Sequence, residues 1–93
     1  MAIVVTGQLP GGTAAQDEEV MQALGLQQHP AAGALLRAAG PIPGGWQIVS
    51  VWESQEAFDT FRRERLMPVL QRLGRPAPAL QVWPAASVLV PQR

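Results

Sequence analysis

Three clusters of glycine and proline divide this chain into short pieces: Pro10-Gly11-Gly12, Pro41 to Gly45, and Gly74 to Pro78. Proline lacks a backbone donor and glycine adopts conformations other residues avoid, so such clusters end regular elements. Four short apolar runs and two helical patterns lie between them. Residues 2–9, Ala-Ile-Val-Val-Thr-Gly-Gln-Leu, are rich in β-branched side chains and stop at Pro10, which predicts a first strand. Thr13 with Gln16 three residues on has capping-box spacing. Asp17, Glu18 and Glu19 follow in the first turns, where the helix dipole favours anions. Val20, Met21 and Leu24 supply an apolar face and Gly25 a stop, so a helix is expected over about residues 14–24.

Residues 26–33 read as a connection, 34–39 as a second strand and 46–53 as a third. The segment Gly40-Pro41-Ile42-Pro43-Gly44-Gly45 suits a hairpin with a longer loop. Ser54 caps a second helix whose stripe is Ala57, Phe58 and Phe61, continued by Leu66, Val69, Leu70 and Leu73. The later group is rotated by roughly a third of a turn from the first. Pro68 predicts a kink near Arg65 to Met67, and Gly74 ends the helix. Ala79 to Trp83 form a fourth strand closed by Pro84, and Ser87 to Val90 are read as a short extension.

The order β-α-β-β-α-β predicts one α+β domain over residues 1–93. Its expected fold is ferredoxin-like, a four-stranded antiparallel sheet with two helices on one face. The other face poses a problem. In strand 3, Trp46, Ile48, Ser50 and Trp52 alternate with Gln47, Val49, Val51 and Glu53, so neither face is cleanly polar. The first and fourth strands are similarly mixed. A monomer would expose an apolar patch beyond the usual few hundred Å². A second copy packed sheet to sheet removes it, so a two-fold homodimer is expected.

Composition removes most catalytic toolkits. There is no cysteine, tyrosine or lysine, hence no thiolate, phenol or amine chemistry and no disulfide. Seven Arg balance seven acids at zero net charge, which argues against nucleic acid or an anionic membrane as partner. No apolar run reaches the ~18 residues of a membrane span, and no signal-peptide pattern opens the chain, so a cytoplasmic protein is expected. A lone histidine among scattered carboxylates has no metal-ligand spacing, so no metal site is expected.

The stretch Ala38-Ala39-Gly40-Pro41, then Gly44 through Ser54, then Glu56-Ala57-Phe58, Phe61 and Arg65-Leu66-Met67-Pro68, resembles the dimeric α/β-barrel superfamily. It is most similar there to small antibiotic-biosynthesis-monooxygenase-like members, over residues 33–84. The resemblance implies sheets packed as a dimeric α/β barrel. It also implies an enzyme without cofactor that oxygenates or cyclises an aromatic or polyketide-like compound. The alternative is a non-catalytic dimer that binds a small ligand or serves as an accessory subunit. Relatives often carry His where Arg37 stands and Asp where Ser50 stands. An arginine cannot replace an imidazole base near neutral pH.

The candidate catalytic residues are Arg37 and His29, and the candidate ligand-binding residues are Ser50, Trp52, Trp46 and Trp83. Arg37 sits mid-strand among Leu35, Leu36, Ala38 and Ala39, where a guanidinium needs an acceptor. It either clamps a carboxylate, phenolate or enolate of a ligand, or pairs with Glu53 or another acid, or lies at a dimer rim. His29, the only imidazole, is either a general acid or base or an exposed loop residue before Pro30. Ser50 could donate a hydrogen bond and Trp52 could stack on a ligand. Trp46 shares the face of Trp52, so the pair either lines a cavity for a flat apolar ligand or packs core and interface, with Trp83 on the fourth strand. Glu53 is either a desolvated base or a solvated, paired acid. Arg62, Arg63 and Arg65 read as a solvated helix face with Asp59 and Glu64.

Overall fold

A computed structural model describes residues 1–90. Strands β1 (Ile3–Pro10), β2 (Ala34–Ile42), β3 (Gly45–Trp52) and β4 (Ala79–Pro84) form one sheet in the order β2-β3-β1-β4. Every neighbouring pair is antiparallel. Helix α1 (Ala14–Leu24) joins β1 to β2, and helices α2 (Gln55–Phe61) and α3 (Met67–Leu73) join β3 to β4. This is the ferredoxin-like α+β arrangement expected from the element order.

The local signals act as read. Thr13 and Gln16 make the reciprocal capping box of α1, and Gly25 ends it in the left-handed conformation. The Ser54 hydroxyl accepts from the Ala57 N–H at the start of α2. A sharp steric demand falls on Gly33, at φ +83, just ahead of β2. A Cβ there would stand 2.6 Å from the Ala57 Cβ, so only glycine lets this turn lie against α2.

Four expectations need correction. The β2–β3 hairpin is tighter than the longer loop expected: Ile42 pairs with Gly45, leaving Pro43-Gly44 as the turn. Gly44 at φ +77 permits that turn, and the strand continues through Pro41 because β2 is an edge strand. The segment Ser87 to Val90 adds no strand, and β3 ends at Trp52 rather than Glu53.

The fourth correction concerns Pro68. The irregularity expected at Arg65 to Met67 begins earlier: a π-helical turn spans Arg62–Leu66, with the Met67 N–H bonded to the Arg62 carbonyl five residues back. The wide turn lies just before the residue whose ring would strike the carbonyl four positions earlier. It also accounts for the rotated apolar stripe. One extra residue in the turn shifts the register of everything that follows.

In that turn Arg65 is half-buried. Its guanidinium donates to the carbonyls of Leu24 (2.9 Å), His29 (2.7 Å) and Pro30 (3.3 Å), and it lies 5.8 Å from the centroid of the Phe61 ring. Arg65 therefore ties the α1–β2 connection to the second helical segment, whereas Arg62 and Arg63 stay exposed as expected. Arg65→Met keeps the stem and loses the donors. It should cost about 1–2 kcal/mol in chemical denaturation and speed amide exchange across residues 24–30.

The core is small. Ile3, Val5, Leu24, Trp46, Trp52, Phe58 and Leu70 are buried, and no described side chain is completely shielded from water. The buried strand residues all lie on the helix-covered face. On the opposite face, strand pairing aligns Leu36, Val51, Val4 and Trp83 in one row and Ala38, Val49, Thr6 and Gln81 in the next. Leu36 and Trp83 are 46% and 44% exposed. Within the strands, this open face carries no ionisable side chain.

Candidate functional site

The helix-covered face is not packed solid. A cavity of about 380 Å³ opens between the sheet, α1 and the α2–α3 segment. Its walls are mainly apolar, with Val5, Met21, Phe58, Phe61, Leu70 and Leu80 among them. This size suits a small organic molecule. The strand pattern explains where its polar groups sit. Arg37 pairs with Ser50 across β2 and β3, so both project on the helix-covered side. Trp52, two residues beyond Ser50, shares that side.

Ser50, Trp52 and Arg37 all line the cavity. The indole N–H of Trp52 donates to the Ser50 hydroxyl at 3.0 Å, which fixes the ring and leaves the serine proton free to donate elsewhere. Trp52 also meets Phe58 edge-on at a centroid distance of 5.5 Å and Phe61 at 5.1 Å, so its ring is held by packing on its other side. Arg37 makes a two-pronged ion pair with Asp17 of α1, with one bond of 3.3 Å to Oδ2 and a shorter one to Oδ1. Asp17 also lines the cavity. At the junction of α3 and β4, Arg75 is paired with Glu19 at 3.0 Å.

Asp17 is the cavity-wall residue that sequence reading did not place among the site candidates. Its place in the first turn of α1 has a sufficient local explanation in the helix dipole. Its partner is twenty residues away, beyond a chain reversal. Of the two ionic partners weighed for Arg37, it is another acid rather than Glu53 that the structure supplies.

The other candidates stand apart from this group. His29 is exposed in the α1–β2 connection and is not among the cavity-lining residues; its carbonyl is held by Arg65. Trp83 lies on the open face of edge strand β4. Trp46 is buried beside Leu9 and Gly12 rather than in the cavity wall, and its indole N–H has no protein acceptor. Glu53 is exposed. Among the described residues no three His, Cys, Asp or Glu side chains converge to hold a metal ion. Nor is any helix among the described residues long and apolar enough to cross a membrane.

No protein-family model matches the sequence, and no curated protein is significantly similar to it. Solved structures do match. SnoaB, a cofactor-independent oxygenase from Streptomyces nogalater, is 15% identical, with a TM-score of 0.66 over 95% of both chains. Rv0793 from Mycobacterium tuberculosis is 13% identical, with a TM-score of 0.71 over 97% of this chain and 100% of its own. A candidate antibiotic biosynthesis monooxygenase from Deinococcus radiodurans is 16% identical, with a TM-score of 0.59 over the whole of both chains. The chain thus has the subunit fold of antibiotic-biosynthesis-monooxygenase-like proteins, as its sequence resemblance implied for the single chain.

Proposed function

We propose that the protein is a small-molecule enzyme that oxygenates or cyclises an aromatic or polyketide-like compound without a cofactor. The observation that carries this reading is the apolar cavity with Ser50, Trp52 and Arg37 brought together in its wall. The likeness in fold to a cofactor-independent oxygenase supports it. Without a cofactor, the substrate must supply the electrons. An enol or phenol loses its proton, and the resulting anion reduces O2. When a CH2 group becomes a carbonyl, one oxygen atom enters the product and the other leaves as water. Cyclisation needs only an enolate carbon to attack a carbonyl. In both reactions an oxyanion must be held in a dry site by oriented donors. Here the guanidinium of Arg37 and the free hydroxyl proton of Ser50 would hold it, and Trp52 would stack on the ring.

The working unit in this reading is a homodimer. The row Leu36, Val51, Val4 and Trp83 crosses all four strands of the open face. A second copy laid on that face removes the apolar surface without burying a charge from any strand.

A second reading rests on one specific observation. The cavity's one carboxylate, Asp17, is already engaged with Arg37, and the only imidazole lies outside it. A dimer that binds a ligand without turning it over would need no more than this. Oxygen consumption separates the two. The enzyme reading expects uptake of O2 or formation of a cyclised product with enolisable polycyclic phenols. Arg37→Leu or Ser50→Ala should slow either reaction about 100-fold. Binding of the same phenols with no change in them would hand the site to the second reading.

A further inference from the structure

We infer that the Asp17–Arg37 ion pair is an exchangeable counter-ion, so that the cavity selects planar aromatic monoanions whose charged group displaces Asp17 from Arg37. This rests on the reading of the cavity as a small-molecule site and names the charge class of what enters it.

Three features support the exchange. First, the pair joins a strand to a helix at the cavity wall, with both partners lining the space. The Arg37 side chain is 29% exposed and the Asp17 side chain 14%. Water reaches both partners, so a carboxylate that leaves the fork is rehydrated in part, and the pair parts at a modest cost. Second, the donors fit an anion. A guanidinium presents parallel N–H groups to a two-oxygen acceptor, and Asp17 occupies that fork now in the manner a ligand carboxylate, sulfonate or enolate would. Ser50, in register with Arg37, adds a hydroxyl proton that its bond from Trp52 leaves unspent. Third, the rest of the wall is mostly apolar, so a ligand must bring one compact charge and a flat hydrophobic body. The second arginine of the wall, Arg75, has its own carboxylate in Glu19. A dianion would have to displace both acids, whereas a monoanion displaces one.

In this arrangement Asp17 is a built-in competitor. It keeps Arg37 neutralised in the empty cavity and sets a threshold that neutral ligands never have to cross. Its removal should therefore tighten the binding of anions, the reverse of what loss of a scaffold contact does.

The test uses the full chain and two fluorescent probes of similar shape. One is neutral N-phenyl-1-naphthylamine. The other is the anion 8-anilinonaphthalene-1-sulfonate, measured by competition against the first. The neutral probe should bind the wild type, Asp17→Asn and Arg37→Gln with similar affinity, which reports an intact cavity in each variant. The sulfonate should bind Asp17→Asn about tenfold more tightly than wild type and Arg37→Gln about tenfold more weakly. If the neutral probe binds all three proteins but Asp17→Asn leaves sulfonate affinity unchanged or lowers it, the pair is a fixed strut and the exchange is overturned. If the neutral probe does not bind the wild type, the small-molecule reading of the cavity fails first, and the exchange falls with it.

Discussion

Phe58→Ala should lower the melting temperature by about 15–30 °C, one of the larger losses expected from a single truncation in this chain. Phe58 is 5% exposed and belongs to the cluster of Ile3, Val5 and Trp52 that anchors the second helical segment to the sheet. Removing a buried phenyl ring costs about 3–5 kcal/mol through lost transfer energy and the void left behind. Domains of this size are stable by only about 5–15 kcal/mol in total. Two local features push the cost toward the upper end. The ring packs edge-on against Trp52, which then loses one of its two aromatic neighbours. The interior already holds a cavity of about 380 Å³ whose wall includes Phe58. A truncation there enlarges an existing void. Thermal unfolding followed by far-ultraviolet circular dichroism would check the figure. A shift of only a few degrees would show that the wall collapses around the loss, and that the cavity is softer than the packing implies.

Val49→Asp should convert a dimer to monomers while leaving the subunit folded. Val49 sits at the centre of the open face, paired with Ala38 on one side and Thr6 on the other. Its side chain is only half-buried in the single chain, so a carboxylate there stays in water and costs the subunit little. In a face-to-face dimer the two-fold axis doubles the change, and each copy buries an unpaired charge. A penalty of several kcal/mol per carboxylate amounts to at least about a thousandfold weaker association. Sedimentation at micromolar concentration should give the mass of two chains for the wild type and one for the variant, with closely similar circular dichroism. A wild-type mass of one chain would end the homodimer proposal.

Local patterns in the sequence foretold both cases. Phe58 was legible as core because its spacing from Ala57 and Phe61 is a helix stripe behind a serine cap. The open face was legible because strand alternation failed to segregate polar from apolar residues. The candidate site divides between what local rules name and what they do not. Ser50 and Trp52 share a strand face by parity, and parity survives folding unchanged. Arg37 was recognised as needing an acceptor, but no local rule named Asp17. His29 and Trp83 drew notice for their chemistry, and side-chain type says nothing about which direction a loop or an edge strand presents. Arg65 was read as solvated because its neighbours Arg62 and Arg63 are. One residue of extra winding in the π turn gives it different surroundings from theirs.

The sequence by itself determined the elements and their order. Caps, breakers and alternation act within a few residues, and their energies are spent locally: Thr13 with Gln16, Ser54 with Ala57, Pro10 and Gly74 at ends. Only the tertiary structure decided which groups meet. Asp17 reaches Arg37 across twenty residues, and Arg65 reaches the His29 carbonyl across thirty-six. Both contacts exist because α1 and the second helical segment pack on the same sheet face, with β1 and β2 held apart by β3. That placement answers to the burial of the whole apolar face, a sum over residues from every element. It cannot be read from any one stretch of chain, and neither can the cavity that the packing leaves open.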